Sequence, residues 1–292
     1  FHAGADVNIL YPYGAVRPAN VGGTRELLRL ASLGSSRFVH ISSTGVFESA
    51  GYLGRARPIR ETDALEDCAV VFGGYCQSKW VAEKMALSAH GRGIPVTVIR
   101  PGLIGCHSVS GACNADDMLS RLVGVFIGSG TVPDLDIPID LTPVDYMSRA
   151  IVELARRPPS GQVFHLVNPR PLRLPALADA LGELGYPLRV VPYRRWLAAV
   201  EANTVGAAEH PLGAMAALFT GTIAGCDRTY LEMTSLGMSF AADAAQAALA
   251  GTGIVCPPVD SQLLGTFVDS LVAAGRLPEL PRGRANARGG AR

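Results

Sequence analysis

A chain of 292 residues with 48% hydrophobic content can bury one large core or two modest ones. Its formal net charge of +1 leaves no electrostatic footprint for nucleic acid, and aromatics at 7% are too sparse for a base-stacking platform. The six cysteines include no C-x-x-C pair and no His-x-x-x-His partner, so no metal site is expected, and reduced thiols in a cytoplasmic protein are the natural state.

Phe1 to Ala5 reads as the end of a strand entering a glycine-containing turn, and Val7 to Tyr13 as a connection. Ala19 to Ala31 carries apolar Val21, Leu27, Leu28, Leu30 and Ala31 at helical spacing, and Gly34 stops it. Arg37 to Ser43 is a short buried strand ending in small hydroxyl residues. After a polar loop from Tyr52 to Asp67, a Gly73-Gly74 pair opens a helix whose apolar Trp80, Val81, Met85 and Leu87 pack it down. Ile94 to Arg100 is a second apolar strand, ending at Pro101-Gly102. Helix and strand alternate with compact connections, which predicts an α/β fold with a parallel sheet covered on both faces. Ligands of such sheets bind beyond the carboxyl ends of the strands, so Gly4, Ser43 and Pro101-Gly102 should line one rim.

From Gly105 to Asp140 the composition shifts to Gly, Ser, Asp and Pro around a short helix from Asp117 to Phe126. Pro143 to Leu154 is helical again, and Gln162 to Val167 is a strand. Beyond Pro169 no βα rhythm remains, and helical patches near 175–185, 193–202, 207–220 and 261–274 suggest a smaller, mainly helical lobe. The end from Pro281 is rich in Gly and Arg and reads as a disordered tail. No basic flank and apolar run marks a signal peptide at the start, and the uncharged run from Ala244 to Val259 is broken by glycines and prolines, so no membrane segment is expected.

Tyr75 and Lys79 stand one helical turn apart and share a face. A phenol titrates at about 10 and is a poor acid at neutral pH. A neighbouring ammonium favours the phenolate and lowers that value, which suits a tyrosine acid working beside a reducing cofactor. Ser43, at a strand end, can face the same cleft and hold a carbonyl oxygen, or can merely satisfy backbone groups there. The set suits a carbonyl that accepts hydride, because charge develops on an oxygen with donors already aimed at it.

Other chemistries lack their residues. There is no G-x-S-x-G nucleophile elbow, no H-E-x-x-H and no G-x-x-x-x-G-K-[ST] phosphate loop. His107 reads as a loop hydrogen-bonder, and Asp116-Asp117 as capping residues before an apolar helix. A dinucleotide fold also needs a glycine-rich turn after its first strand, and no G-x-G-x-x-G occurs here. Either the cofactor reading is wrong or an N-terminal part is missing.

Beyond Tyr-x-x-x-Lys, several stretches resemble the thioester reductase family: extended short-chain dehydrogenases that form terminal domains of nonribosomal peptide synthetases and of carboxylic acid or aminoadipate reductases. Phe1 to Asn8 with Leu10 to Tyr13 is similar to the family's stretch after its fourth strand. Asn20-Val21-Gly22-Gly23-Thr24 resembles its N-V-x-G-T helix, and Arg100 to Gly105 its R-P-G segment. Ser108 to Asp117 resembles its G-x-x-N-x-D-D substrate loop. Pro133 to Asp136, Thr142 to Tyr146, Phe164 to Pro169 and Gly253 to Pro258 are similar as well.

The resemblance implies a Rossmann-like doubly wound parallel sheet with a smaller, mainly helical C-terminal substrate lobe. It divides the chain into residues 1–105 and 143–170 of a nucleotide-binding domain, a substrate-loop segment 106–142, a lobe 171–280 and a tail 281–292. Ser43, Tyr75 and Lys79 become the catalytic set. Ala3, Gly4, Asn20, Ser42, Tyr75, Lys79, Pro101, Gly102, Leu103 and Ile104 flank the cofactor, and His107, Asn114 and Asp117 stand on the substrate side. The implied cofactor is NADPH, with NADH possible. The implied partner is a phosphopantetheinyl carrier protein bearing an acyl thioester, reduced to an aldehyde or onward to an alcohol. The first βα units are expected to be missing. A sugar-nucleotide epimerase or dehydratase would use the same Ser/Tyr/Lys set, and an inactive fragment that only docks a carrier or partner domain is a third reading.

Overall fold

Few residues in Phe38-Val39-His40-Ile41 or Val96 to Pro101 would be at ease facing water, which suits strands covered on both faces. The computed structural model describes residues 1–65, 68–157, 161–204, 219–222 and 228–280. Its first half holds α1 (Tyr13–Arg17), α2 (Gly23–Leu33), β1 (Phe38–Ile41), α3 (Gly74–His90), β2 (Val96–Pro101) and α4 (Met118–Ser129). Then come β3 (Thr131–Pro133), β4 (Pro138–Ile139), α5 (Val144–Arg156), β5 (Val163–Leu166), β6 (Leu172–Arg173) and α6 (Leu174–Glu183). The last elements are β7 (Arg189–Val191), α7 (Tyr193–Thr204), α8 (Tyr230–Ser235), α9 (Asp243–Leu249) and α10 (Ser261–Ala273).

Strands β1, β2 and β5 form a parallel sheet in that order, with Phe38 opposite Val96 and Val98 opposite Val163. His2 bridges His40 in parallel on the far side of β1, so the first residues continue the sheet there. Alternate residues serve opposite faces. Phe38, Val96 and Val98 pack with Leu28, Ala31 and Ala86 of α2 and α3. Val39, Ile99, Phe164 and Leu166 pack with Met147, Ala150 and Leu154 of α5 and with Ala245 and Leu249 of α9. Each large apolar side chain buried this way contributes about 1.5–3 kcal/mol.

The sheet is thus doubly covered, as the sequence predicts, but one segment behaves differently. Residues 242–256, assigned to the lobe on sequence grounds, return to the sheet and close its α5 face. The lobe is mainly helical, and its two short strands join it to the 106–142 segment: β7 pairs in parallel with β3, and β6 with β4 in antiparallel. Its core gathers Phe126 of α4, Leu177 of α6, Trp196 of α7 and Phe267 of α10. Of the patch predicted near 207–220, residues 207–218 lie outside the described residues, as does the tail 281–292. Among the described residues no helix is long and apolar enough to cross a membrane.

Phe1 is 72% exposed, and Leu30 and Leu33 on α2 are 64% and 80% exposed.

Candidate active site

The glycine pair before Tyr75 is dictated by crowding. Gly73 has φ 71°, a conformation that costs a side chain strain. A Cβ on Gly74 would lie 2.3–2.5 Å from backbone atoms of Tyr11, Pro12 and Tyr13, so only glycine lets the turn before α1 press against the start of α3. The helix then presents Tyr75, Lys79 and Glu83 as one stripe at i, i+4 and i+8.

Each member of the stripe meets the end of a strand. The Ser43 hydroxyl accepts the Gly45 N–H at 3.0 Å, capping a short helical turn, and faces the Tyr75 phenol, whose ionised form it favours. Lys79 is buried and donates from Nζ to the carbonyl of Ile41, the last residue of β1, at 2.6 Å. The buried Glu83 carboxylate receives the Ser42 hydroxyl at 2.6 Å and the Arg100 guanidinium at 2.6 Å. Arg100 lies over the Phe47 ring, 4.7 Å from its centre, and its other arm reaches His165 Nε2 at 3.1 Å. The sheet register therefore brings Ser43, Tyr75 and Lys79 together at the carboxyl rim, with Gly4 and Pro101-Gly102 on neighbouring strand ends.

One electrostatic expectation is corrected. The helical spacing predicts that Lys79 lowers the Tyr75 pKa. Burial instead pushes the phenol up, with Cys76 and Glu48 adding to the rise and the Ser43 hydrogen bond opposing it. The ammonium meets the Ile41 carbonyl, and its own value is lowered by burial to about 8, with Glu83 acting against the fall. Tyr75 is accordingly a neutral phenol.

The remaining predicted residues have the following places. Asn20 is buried in a wide turn of helix (Pro18–Gly22), where its amide donates to the Asp6 carbonyl at 2.9 Å and the Ser78 hydroxyl at 2.8 Å. It ties the segment after His2 to α3, a structural duty. Ala3 and Gly4 are exposed, and a Cβ on Gly4 would meet nothing within 4 Å. Leu103 and Ile104 run along the Leu141–Thr142 segment, with the Thr142 N–H donated to the Leu103 carbonyl at 3.0 Å. His107 Nδ1 accepts the N–H groups of Val109 and Ser110, both at 3.2 Å, and so organises its own loop. Asn114 makes an Asx turn with the Asp116 N–H, and Asp117 caps α4 through the Ser120 N–H at 2.7 Å. Both bonds are local, and through them Asn114 and Asp117 shape the backbone of the loop.

Sequence reasoning missed three groups. Glu48 follows Ser43 on the same loop; burial raises its carboxyl to about 7, and it accepts the Cys76 thiol at 3.4 Å. Tyr230 of α8 feels Glu48, Cys76 and Tyr75, so a lobe residue reaches this corner of the site. Asp140 is raised by burial to about 6 while accepting the Asn168 N–H and the Thr142 hydroxyl, both at 2.8 Å. Its carboxylate fills the space a Gly102 side chain would need, only 1.8 Å from that Cβ. The glycine in Pro101-Gly102 is therefore explained by Asp140.

The donors at this rim fit the nicotinamide and ribose end of a dinucleotide. Among the described residues Lys79 Nζ has one acceptor for three N–H donors, which leaves hydrogens for ribose hydroxyls. The open space at Gly4 lets a flat group approach the backbone. The pyrophosphate end would need a glycine-rich turn that this sequence does not contain.

The sequence profile of the NAD-binding family described as "Male sterility protein" matches residues 1–151. Glycine betaine reductase of Emericella nidulans is 42% identical over 199 residues, 68% of this chain and 16% of that protein. A component of the linear gramicidin synthase of Brevibacillus parabrevis is 33% identical over 282 residues, 95% of this chain and 5% of that protein. The chain thus spans a small part of these relatives. The crystal structure of the terminal R domain from the myxalamid PKS-NRPS biosynthetic pathway superposes with a TM-score of 0.84 at 40% identity, covering 94% of this chain and 68% of that one. With its Rossmann-like sheet and its Ser43, Tyr75 and Lys79 on one rim, the chain belongs to the thioester reductase family of nicotinamide-dependent oxidoreductases.

Proposed function

We propose that this chain carries the proton-delivering part of a reductase that converts an acyl or peptidyl thioester, held on a phosphopantetheinyl carrier protein, to an aldehyde. NADPH is the proposed cofactor, with NADH the alternative, and when bound it supplies the hydride. The observation that carries the reading is the stripe of α3 against the strand ends: Tyr75 on Ser43, Lys79 on the Ile41 carbonyl. Tyr75, half-buried and kept neutral by desolvation, gives its proton to the substrate oxygen as negative charge develops there. Ser43 orients the phenol and offers that oxygen a second hydrogen bond. Lys79, seated on the Ile41 carbonyl, holds the ribose through its remaining donors.

The terminal R domain and the gramicidin synthase component support a carrier-bound substrate, since both are parts of assembly-line synthetases. The edge beside His2, with Leu30 and Leu33 exposed on α2, supports the addition of further βα units that would hold the pyrophosphate. The test is single-turnover reduction of a carrier-bound acyl thioester by the intact polypeptide with NADPH or NADH. Tyr75→Phe is expected to lower the rate by about 10²–10⁴-fold. An unchanged rate in that variant removes the mechanism, and turnover of a nucleotide sugar in place of the thioester replaces it with epimerase chemistry.

A further inference from the structure

Thioester reduction, the reading on which this inference rests, has a proton balance that Tyr75 alone does not close. Hydride adds to the carbonyl carbon, the C=O electron pair moves to oxygen, and oxygen takes the Tyr75 proton to give a hemithioacetal. On collapse the O–H proton returns to Tyr75, C=O re-forms, and the C–S bond breaks with its pair going to sulfur. The phenol is restored, and the departing sulfur still needs a proton.

A second acid stands beside the first. A Cβ built on Gly45 would lie 2.9 Å from Cys76 Sγ, 3.3 Å from Ser43 Oγ and 3.6 Å from Glu48 Oε1, so these three atoms surround one point. Glu48 Oε2 takes the Cys76 thiol at 3.4 Å, which leaves Oε1 on the Ser43 side. The groups facing Glu48 are Ser43 on its own loop, Tyr75 and Cys76 from α3, and Tyr230 from α8. Cys76 is pushed well up by burial and stays protonated, and Tyr230 is likewise a neutral phenol. Among the described residues no Lys or Arg forms an ion pair or hydrogen bond with Glu48. A carboxyl desolvated without a cation is held as the neutral acid.

We propose that Glu48 is the second acid of this site and protonates the sulfur that leaves when the hemithioacetal collapses. The carboxylate so formed regains its proton from solvent, and the sum is one hydride and one proton consumed per aldehyde and thiol released.

The test compares wild type with Glu48→Gln in the intact protein. Difference infrared spectra are expected to show a protonated-carboxyl C=O band in wild type that titrates away at about pH 7 and is absent from the variant. A band already lost at pH 5 overturns the proposal without any turnover assay. In turnover, Glu48→Gln is expected to slow an alkyl thioester by about 10²-fold. It should slow the matching free aldehyde, which expels no sulfur, by at most a few-fold. An aryl thioester, whose thiolate leaves unprotonated, should recover most of the loss. Equal slowing of thioester and aldehyde overturns this proposal alone. A wild type that reduces the aldehyde but no thioester overturns the functional reading and this proposal with it.

Discussion

Removing either partner of the Glu83–Arg100 pair is the most direct probe of what holds the Tyr75–Lys79–Glu83 stripe in place. The two side chains are 0% and 2% exposed and meet through two arms of the guanidinium, with Nη2 to Oε1 at 2.6 Å and Nε to both carboxylate oxygens at 3.2 Å. Glu83→Ala strands the Arg100 cation between Phe47 and a His165 ring nitrogen and leaves the Ser42 hydroxyl without its acceptor. Truncating one member of such a pair costs about 3–5 kcal/mol, because an uncompensated charge remains buried. For a domain of this size that lowers Tm by on the order of 10 °C. Replacing both members, Glu83→Leu with Arg100→Met, should cost far less than the sum of the single changes. Urea denaturation of wild type, Glu83→Leu, Arg100→Met and the double variant closes the double-mutant cycle. Two single variants each costing under about 1 kcal/mol would refute the reasoning, since a solvated pair behaves that way.

Three further outcomes follow from the same geometry. Glu83 opposes the burial that lowers Lys79 to about 8, so Glu83→Gln should carry the alkaline limb of the pH–rate profile further down; an unmoved limb means that Lys79 does not set it. Glu48 is an acid raised from 4.5 to about 7, so the native state keeps a proton that the unfolded chain loses in that window. Its contribution is present below pH 4.5 and is lost as pH rises through 7, and Glu48→Gln should gain about 3 kcal/mol over wild type between pH 5 and 8 in urea melts. Gly74→Ala puts a Cβ within 2.5 Å of backbone that cannot yield and should cost about 1–3 kcal/mol or more, read by thermal melting; a parent-like Tm would mean that α1 is free to move away from α3.

The parts of the fold legible in the sequence are those whose signal is local. The apolar runs ending at Ile41 and Pro101 and the amphipathic stretch around Leu28 carry their own periodicity, and the structure keeps them within a few residues. Helices α8 and α9 escape a sequence reading because each is under two full turns and α9 is mostly alanine, with no stripe to read. Glu48 escapes it for a different reason. A lone glutamate in a loop after a strand looks solvated, and what buries it comes from elsewhere: the Val71-Phe72 segment, which pairs with its backbone, and Tyr230, far along the chain. Glu61 is hidden in the same way. It reads as one of several loop charges, yet it accepts backbone N–H groups from His165 at 3.1 Å, Ala244 at 2.8 Å and Ala245 at 3.0 Å, and so fixes α9 to the sheet.

The stripe on α3 divides its labour by depth. Glu83, deepest, has a full counter-charge in Arg100 and keeps the helix seated on β1 and β2. Lys79, one turn up, has only a carbonyl dipole, and burial brings it to about 8, so at neutral pH it is a cation with donors to spare. Tyr75, at the rim, meets the Ser43 hydroxyl and no cation among the described residues, and desolvation holds it neutral. Desolvation therefore acts on the two upper groups in opposite directions, keeping a proton on the acid and weakening the lysine's hold on its own. A bound substrate oxyanion would reverse the first effect, because charge on oxygen next to Ser43 rewards the phenol for releasing its proton. In the proposed reaction the phenol is thus restrained until charge develops on the substrate oxygen, and Glu83 acts against the burial that would discharge Lys79.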